Sequence, residues 1–176
     1  MLILQLTGLS GAGKTTLANA LSEQLLLLGH AVTIVDGDVY RNSLNKDLGF
    51  SEADRRENIR RLQHVAIEKS KEGDIVLLAA INPFEDQRNG FFQSSGALVV
   101  YLFCPMPVLM LRDTKGLYKR AILPDADPQK IHNLTGVNDR YDEPQSPHFT
   151  GNTAIETIQE LTARLLEFVI QQINAV

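Results

Sequence analysis

The sequence predicts an α/β fold, a three-layer α/β/α sandwich around a central parallel sheet. Short apolar runs alternate with helix-forming stretches along the chain, which is the signature of strands joined by crossover helices. Several of these runs are continuously apolar, as strands covered on both faces are. The third observation is local. An apolar strand, Leu2 to Leu6, runs into Gly8-x-x-x-x-Gly13-Lys14-Thr15, and a helical stretch from Leu17 to Leu28 follows at once. That order of strand, glycine-rich turn and helix is a phosphate-binding loop, which makes the predicted sandwich one of the P-loop NTPase type.

The remaining elements follow in order. Ala31 to Val35 is a short β-branched run ending in Asp36. Ser51-Glu-Ala-Asp54 resembles a capping box and opens a helix to about Glu72, with Ile59, Leu62, Ala66 and Lys69 spaced by threes and fours. Gly73 ends it, and Ile75 to Ala80 is the next strand. A short helix is expected after Pro83, a strand over Leu98 to Phe103, and another helix over Pro105 to Arg112. From Asp113 to Gly151 the chain is polar, carries four prolines and has no sustained periodicity. Loops this long are usually lids or binding loops, so a lid is expected over residues 113–150. The last helix is expected to start at a capping box, Thr153-x-x-Glu156, with Ile158, Leu161, Leu165, Phe168 and Val169 on one face. With no repeat, linker or low-complexity tract, residues 1–176 are expected to form a single domain.

Composition narrows the function classes. The chain has 176 residues, a net charge of −4, 44% hydrophobic and 22% charged residues. Basic residues are neither in excess nor in runs, so no nucleic-acid footprint is expected. No apolar run approaches a membrane span. The residues after Met1 lead straight into the loop without a signal-peptide pattern, and one cysteine, Cys104, allows no internal disulfide. Cys104 reads better as a small buried hydrophobe than as a nucleophile. A cytoplasmic location follows as an expectation.

The loop itself specifies a nucleoside triphosphate. Its glycines, Gly8, Gly11 and Gly13, with Ser10, Ala12 and Thr16, turn successive N–H groups toward one point at a helix N-terminus. Lys14 can reach the β- and γ-phosphates of ATP, and the Thr15 hydroxyl can ligate Mg²⁺. Asp36-Gly37-Asp38-x-x-Arg41 follows a strand and therefore faces the same crevice, because open parallel sheets bind ligands at the carboxyl ends of their strands. A carboxylate there can hold Mg²⁺ through water or accept a proton from an attacking hydroxyl. The bland alternative is a surface turn, for which Asp-Gly is common.

A cation cluster comes next: Arg41, Arg55, Arg56, Arg60 and Arg61, with Asn58 among them. A solvated helix with surface ion pairs and a second anion site read equally well from the residues alone. Arg112-Asp113-Thr114-Lys115-Gly116-Leu117-Tyr118-Lys119-Arg120 carries basic groups into the long polar segment, as a water-excluding lid needs. The same residues also suit a helix end favoured by the macrodipole.

These motifs together, with Asp47-Leu-Gly-Phe50-Ser51, Asp54-Arg55-Arg-Glu-Asn58-Ile-Arg-Arg61 and Leu134-Thr-Gly136, resemble the adenosine 5′-phosphosulfate (APS) kinase family over residues 2 to about 150. The resemblance implies a P-loop kinase, usually a homodimer, that transfers the γ-phosphate of MgATP to the 3′-hydroxyl of adenylyl sulfate. It implies that Lys14 and Thr15 hold the phosphates and Mg²⁺, that Asp36 is the metal-linked catalytic acid, and that Asp38 is its neighbour beside the acceptor. Arg41, Arg55 and Asn58 would contact the phosphosulfate and ribose, Phe50 would form one wall of an aromatic slot, and Ile81 would line the acceptor side. Arg112 would lie near the ATP base, and Lys115, Gly116, Leu117 and Tyr118 would begin the lid.

The chain departs from the family pattern in three places. Ile81-Asn82-Pro83 replaces the common Ile-Ser-Pro, and an amide cannot form a phosphoserine, which leaves direct in-line transfer. Leu134 stands where a phenylalanine is usual and gives up aromatic stacking if it forms the second wall of the slot. Glu85 stands where a basic residue is common, and the usual N-terminal extension is missing. Two alternatives follow. A related kinase could act on another nucleotide-activated oxyanion, such as cytidine diphosphoramidate. A nucleotide-binding regulatory module is disfavoured, since no Asn-Lys-x-Asp motif occurs.

Overall fold

The computed structural model describes residues 1–175. Five strands pair in parallel in the order β2-β3-β1-β4-β5. They are β1 Leu2–Thr7, β2 Val32–Asp36, β3 Ile75–Ala79, β4 Leu98–Phe103 and β5 Phe149–Asn152. The helices are α1 Lys14–Leu27, α2 Gly37–Arg41, α3 Glu52–Ser70, α4 Glu85–Ser95, α5 Met106–Arg112, α6 Leu117–Ala121 and α7 Ile158–Asn174.

The period of two along a strand divides the sheet between two cores. On one face Leu4, Leu6 and Leu77 pack with Leu17, Leu21 and Leu25 of α1 and with Leu161, Leu165 and Val169 of α7. On the other, Ile3, Val76 and Leu78 meet Ile59, Leu62 and Ala66 of α3 and Phe91 of α4. Every residue of β3 is buried, as a strand covered on both faces requires. Cys104 is buried in the first core. Among the described residues no helix is long and apolar enough to cross a membrane.

Chain order reverses around β1, which lies between β3 and β4. A crevice opens at such a switch point, beyond the carboxyl ends of the strands. The turn after β1 therefore lies at the mouth of that crevice. Gly8 makes the turn possible: its φ is 146°, and an added Cβ would come within 2.5 Å of the Leu102 carbonyl oxygen.

Two expectations need correction. The segment 113–150 is not structureless, because α6 lies within it and its last two residues, Phe149 and Thr150, begin β5. β5 pairs with Val100 to Phe103. With only Phe-Thr-Gly-Asn to show, it is too short to carry a periodic signal. The last helix starts at Ile158 and not at Thr153. Thr153 N still donates to Phe103 O, which continues the pairing of β5, and Glu156 closes a turn by accepting from Asn152 N at 2.6 Å. The capping box is Thr157 with Glu160, four residues further on. Two Thr-x-x-Glu patterns thus stand back to back, and tertiary pairing to β4 decides between them. Ser51 does cap α3, accepting from Asp54 N at 3.1 Å, but the Asp54 carboxylate bonds the Ser51 hydroxyl rather than its backbone.

Thr157→Ala is expected to lower unfolding stability by about 1 kcal/mol in urea melts. Glu156→Gln keeps the helix cap and is expected to leave the far-ultraviolet helix signal unchanged.

Candidate active site

One cleft of about 580 Å³ opens at the carboxyl end of the sheet. The phosphate-loop residues Ser10, Gly11, Gly13, Lys14, Thr15 and Thr16 line it together with Asp36, Asp38, Arg41, Phe50, Arg55 and Asn58. Ala79 to Pro83, running off β3, supply the floor, and Thr114 and Lys115 overhang it.

Asp36 ends β2 and caps α2. Its Oδ1 accepts from Asp38 N at 2.8 Å and from Val39 N at 3.4 Å. Its Oδ2 accepts from the Thr15 hydroxyl at 2.6 Å. The Asp-Gly-Asp motif is therefore a helix start inside the cleft and not a surface turn. Asp38 has a largely exposed side chain whose Oδ2 pairs with Lys115 Nζ at 2.5 Å, across the cleft mouth.

Lys14 folds back on its own loop, donating to Gly8 O at 2.8 Å and Leu9 O at 2.9 Å. Burial pushes its pKa down to about 8, against the pull of Asp38 and Asp36 and with the help of nearby Lys115. Bound phosphates would supply the missing negative charge.

Two guanidinium groups lie over Phe50, with Arg41 at 4.5 Å and Arg55 at 5.6 Å from the ring centroid. Burial and the like charge of Arg55 lower the pKa of Arg41. Arg41 Nη2 donates to Gly49 O at 2.8 Å, while Nη1 is buried without a partner among the described residues. Arg55 is differently placed. Its Nε donates to Phe50 O, its Nη1 to Thr135 Oγ1 and its Nη2 to Asn133 O, and the guanidinium forms an ion pair with Asp139 Oδ2 at 3.0 Å. That commits three of its five N–H donors to the protein, besides the ion pair. Of the pair, Arg41 has the open donor, and Arg55 ties α3 to segment 133–139. Arg56, Arg60 and Arg61 are taken by Glu52, Asp86, Glu57 and Asp47, the solvated-helix arrangement.

Other residues singled out in the sequence lie off the cleft wall. Gly8 and the fully buried Ala12 shape the loop from behind. Gly116 caps α6 and Leu117 begins it. Arg112 turns to Thr153, donating to its hydroxyl at 3.1 Å and to its carbonyl. Leu134 is only 7% exposed and packs in the core with Tyr118 and Ala121, so it does not face Phe50 across the cleft. The segment it belongs to still reaches the loop, because a Cβ at Gly136 would lie 2.5 Å from the Leu9 side chain. Asn82, Thr135, Asp139, Thr153 and the buried Asn45 were not picked out as site residues. Thr135, Asn82 and Thr153 belong to quoted motifs, but no spacing rule marks Asp139 or Asn45.

The model of the adenylylsulphate kinase family matches residues 1–151. The chain belongs to the adenylylsulphate kinase family. It is 40% identical over 173 residues to an adenylyl-sulfate kinase of Bacillus licheniformis, covering 97% of this chain and 85% of that one. It is 42% identical over 171 residues to one from Geotalea daltonii, covering 96% and 82%. Among solved structures it is similar to a Mycobacterium tuberculosis APS kinase in complex with AMPPNP and APS, with TM-score 0.85, 34% identity and 96% coverage of both chains. The parallel sheet with helices on both faces is thus the P-loop kinase fold expected from the sequence.

The Lys14 environment sets a pH dependence. In the unfolded chain this amine titrates near 10.5, and in the fold near 8. Between these values the unfolded state binds the extra proton, so stability rises with pH across this window and the cost of burying the ammonium is full below it. Lys14→Met is expected to raise the melting temperature of the nucleotide-free protein at pH 7. It is also expected to abolish the Lys14 share of the rise between pH 8 and 10, as read by thermal melts.

Proposed function

We propose that the chain is an adenylyl-sulfate kinase that transfers the γ-phosphate of ATP to the 3′-hydroxyl of adenylyl sulfate. The observation that carries this reading is a single cleft. The phosphate loop lines it together with Arg41, Phe50 and Asn58.

In this reading Lys14 leaves Gly8 O and Leu9 O for the β- and γ-phosphates. Arg41 Nη1 takes an oxygen of the phosphosulfate, and Phe50 stacks the acceptor base. Thr15 and Asp36 present hard oxygen donors 2.6 Å apart, a set that fits Mg²⁺ held together with phosphate oxygens. Among the described residues no larger cluster of acidic, histidine or cysteine ligands exists, which suits an ion carried in with the nucleotide. Bound there, Mg²⁺ would neutralise charge on the β- and γ-phosphates.

Because both oxygens of Asp36 are engaged, Asp38 is the carboxylate free to take the hydroxyl proton once Lys115 swings to the phosphates. The bond from O3′ to Pγ forms as the bond from Pγ to the β–γ bridging oxygen breaks, and ADP leaves. Segment 113–148 serves as the lid that keeps water out, in one catalytic domain. Arg112 with Thr153, beside Gly13, is assigned to the ATP base. The homodimer and the cytoplasmic location expected from the sequence belong to the same proposal. Sedimentation of the purified protein tests the dimer.

A second reading draws on Leu134. Its place in the core leaves Phe50 without an aromatic partner from that position, so another nucleotide-activated oxyanion could be the acceptor. ADP release in a coupled assay separates the two. Turnover is expected with adenylyl sulfate, and release only with a cytidine acceptor would overturn the first reading. Asp38→Asn is expected to lower kcat by about 10²- to 10⁴-fold with a smaller change in the KM for ATP. Asp36→Ala is expected to abolish turnover with the fold intact, as checked by circular dichroism.

A further inference from the structure

Asn45 lies in the turn between Arg41 and Phe50 and is fully buried. Its Nδ2 donates to Asn58 Oδ1 at 2.9 Å, while its Oδ1 is buried without a partner among the described residues. Asn58 is on the cleft wall, and its Nδ2 has no protein partner among the described residues and is not among the buried, unsatisfied atoms. An amide whose oxygen is held from behind can turn only its NH₂ forward. Arg41 and Arg55 stand on the same wall, so Asn58 adds a neutral donor to a site that already favours anionic oxygen.

We infer that Asn45 is a positioning residue that holds Asn58 Oδ1 from behind, so that Asn58 turns its NH₂ toward the substrate's phosphosulfate. The inference rests on the adenylyl-sulfate reading above. Asn45 itself never touches substrate. The Asn45 backbone is held independently, its N–H donating to Tyr40 O and its carbonyl accepting from Leu48 N, so the turn survives a change of side chain.

The test replaces the donor with a group that can only accept. In Asn45→Asp the ionised carboxylate attracts Asn58 Nδ2, and the substrate then meets Asn58 Oδ1. The KM for adenylyl sulfate is expected to rise at least tenfold, while the KM for ATP stays within twofold. Lowering the pH until the new carboxyl is protonated restores a donor, and the acceptor KM of the variant is expected to fall back toward wild type. The wild-type enzyme is expected to show no such recovery. If the buried carboxylate unfolds the chain, Asn45→Ser takes its place. It is uncharged, too short to reach Asn58, and expected to raise the acceptor KM alone by about threefold.

An unchanged acceptor KM in the folded variant, or an equal rise for both substrates, overturns the inference. Wild-type protein that turns over no adenylyl sulfate would instead overturn the reading on which it rests, and the two failures are read in separate assays.

Discussion

The hydrogen bond from Thr15 to Asp36 ties together the two chain ends on which the site depends. Thr15 follows β1 and Asp36 closes β2, two strands separated in the sheet by β3. The parallel sheet brings both turns to the same edge, because every strand delivers its following loop to one side. The carboxylate is held from both ends: the first N–H groups of α2 take one oxygen and the loop hydroxyl takes the other. A group anchored in this way loses little freedom when an ion or phosphate arrives, which is the value of preorganisation. Asp38, two residues on, has no such anchor and is restrained only by Lys115 from the opposite rim. One short motif thus supplies a fixed carboxylate and a movable one.

The opposite wall is held by a different device. Arg55 spends most of its donors inside the protein, on Phe50 O and on segment 133–139, and that segment continues through Gly136 to Leu9 of the phosphate loop. The Phe50–Arg55 wall and the phosphate loop are therefore joined through segment 133–139. Arg41 keeps a buried donor without a partner, and such a group costs free energy unless a ligand satisfies it. The two arginines thus differ in their commitments: Arg55 braces the wall, and Arg41 keeps a donor open.

What the sequence made legible follows from the range of each interaction. The phosphate loop, the long periodic helix α3 and the apolar strands β1, β3 and β4 depend on neighbours within a few turns of chain, and pattern alone locates them. β5 and the start of α7 depend on pairing with β4, some fifty residues earlier, and local signals there pointed to the wrong threonine. Leu134 and Arg112 show the same limit for side chains. A motif places them near the site, but only packing shows that one lies in the core and the other turns to Thr153. Asn45 carried no signal, since a buried amide that supports another amide has no spacing of its own.

Position 82 shows how a departure from a family pattern acquires a physical account. Asn82 has φ 42°, in the left-handed region that asparagine tolerates better than most residues. Its Nδ2 donates to Gln5 Oε1 at 3.4 Å, and Gln5 is held in turn by donating to Arg88 O and Ala97 O. Its carbonyl accepts from the fully buried Arg88 and, at 3.4 Å, from the Thr7 hydroxyl. Glu85, the other departure nearby, neutralises that same arginine at 2.6 Å. The two changes belong to one buried network that supports the cleft floor. The side chain at 82 is directed into the sheet toward Gln5, with both its polar atoms away from solvent. Position 82 therefore carries no hydroxyl that could receive phosphate.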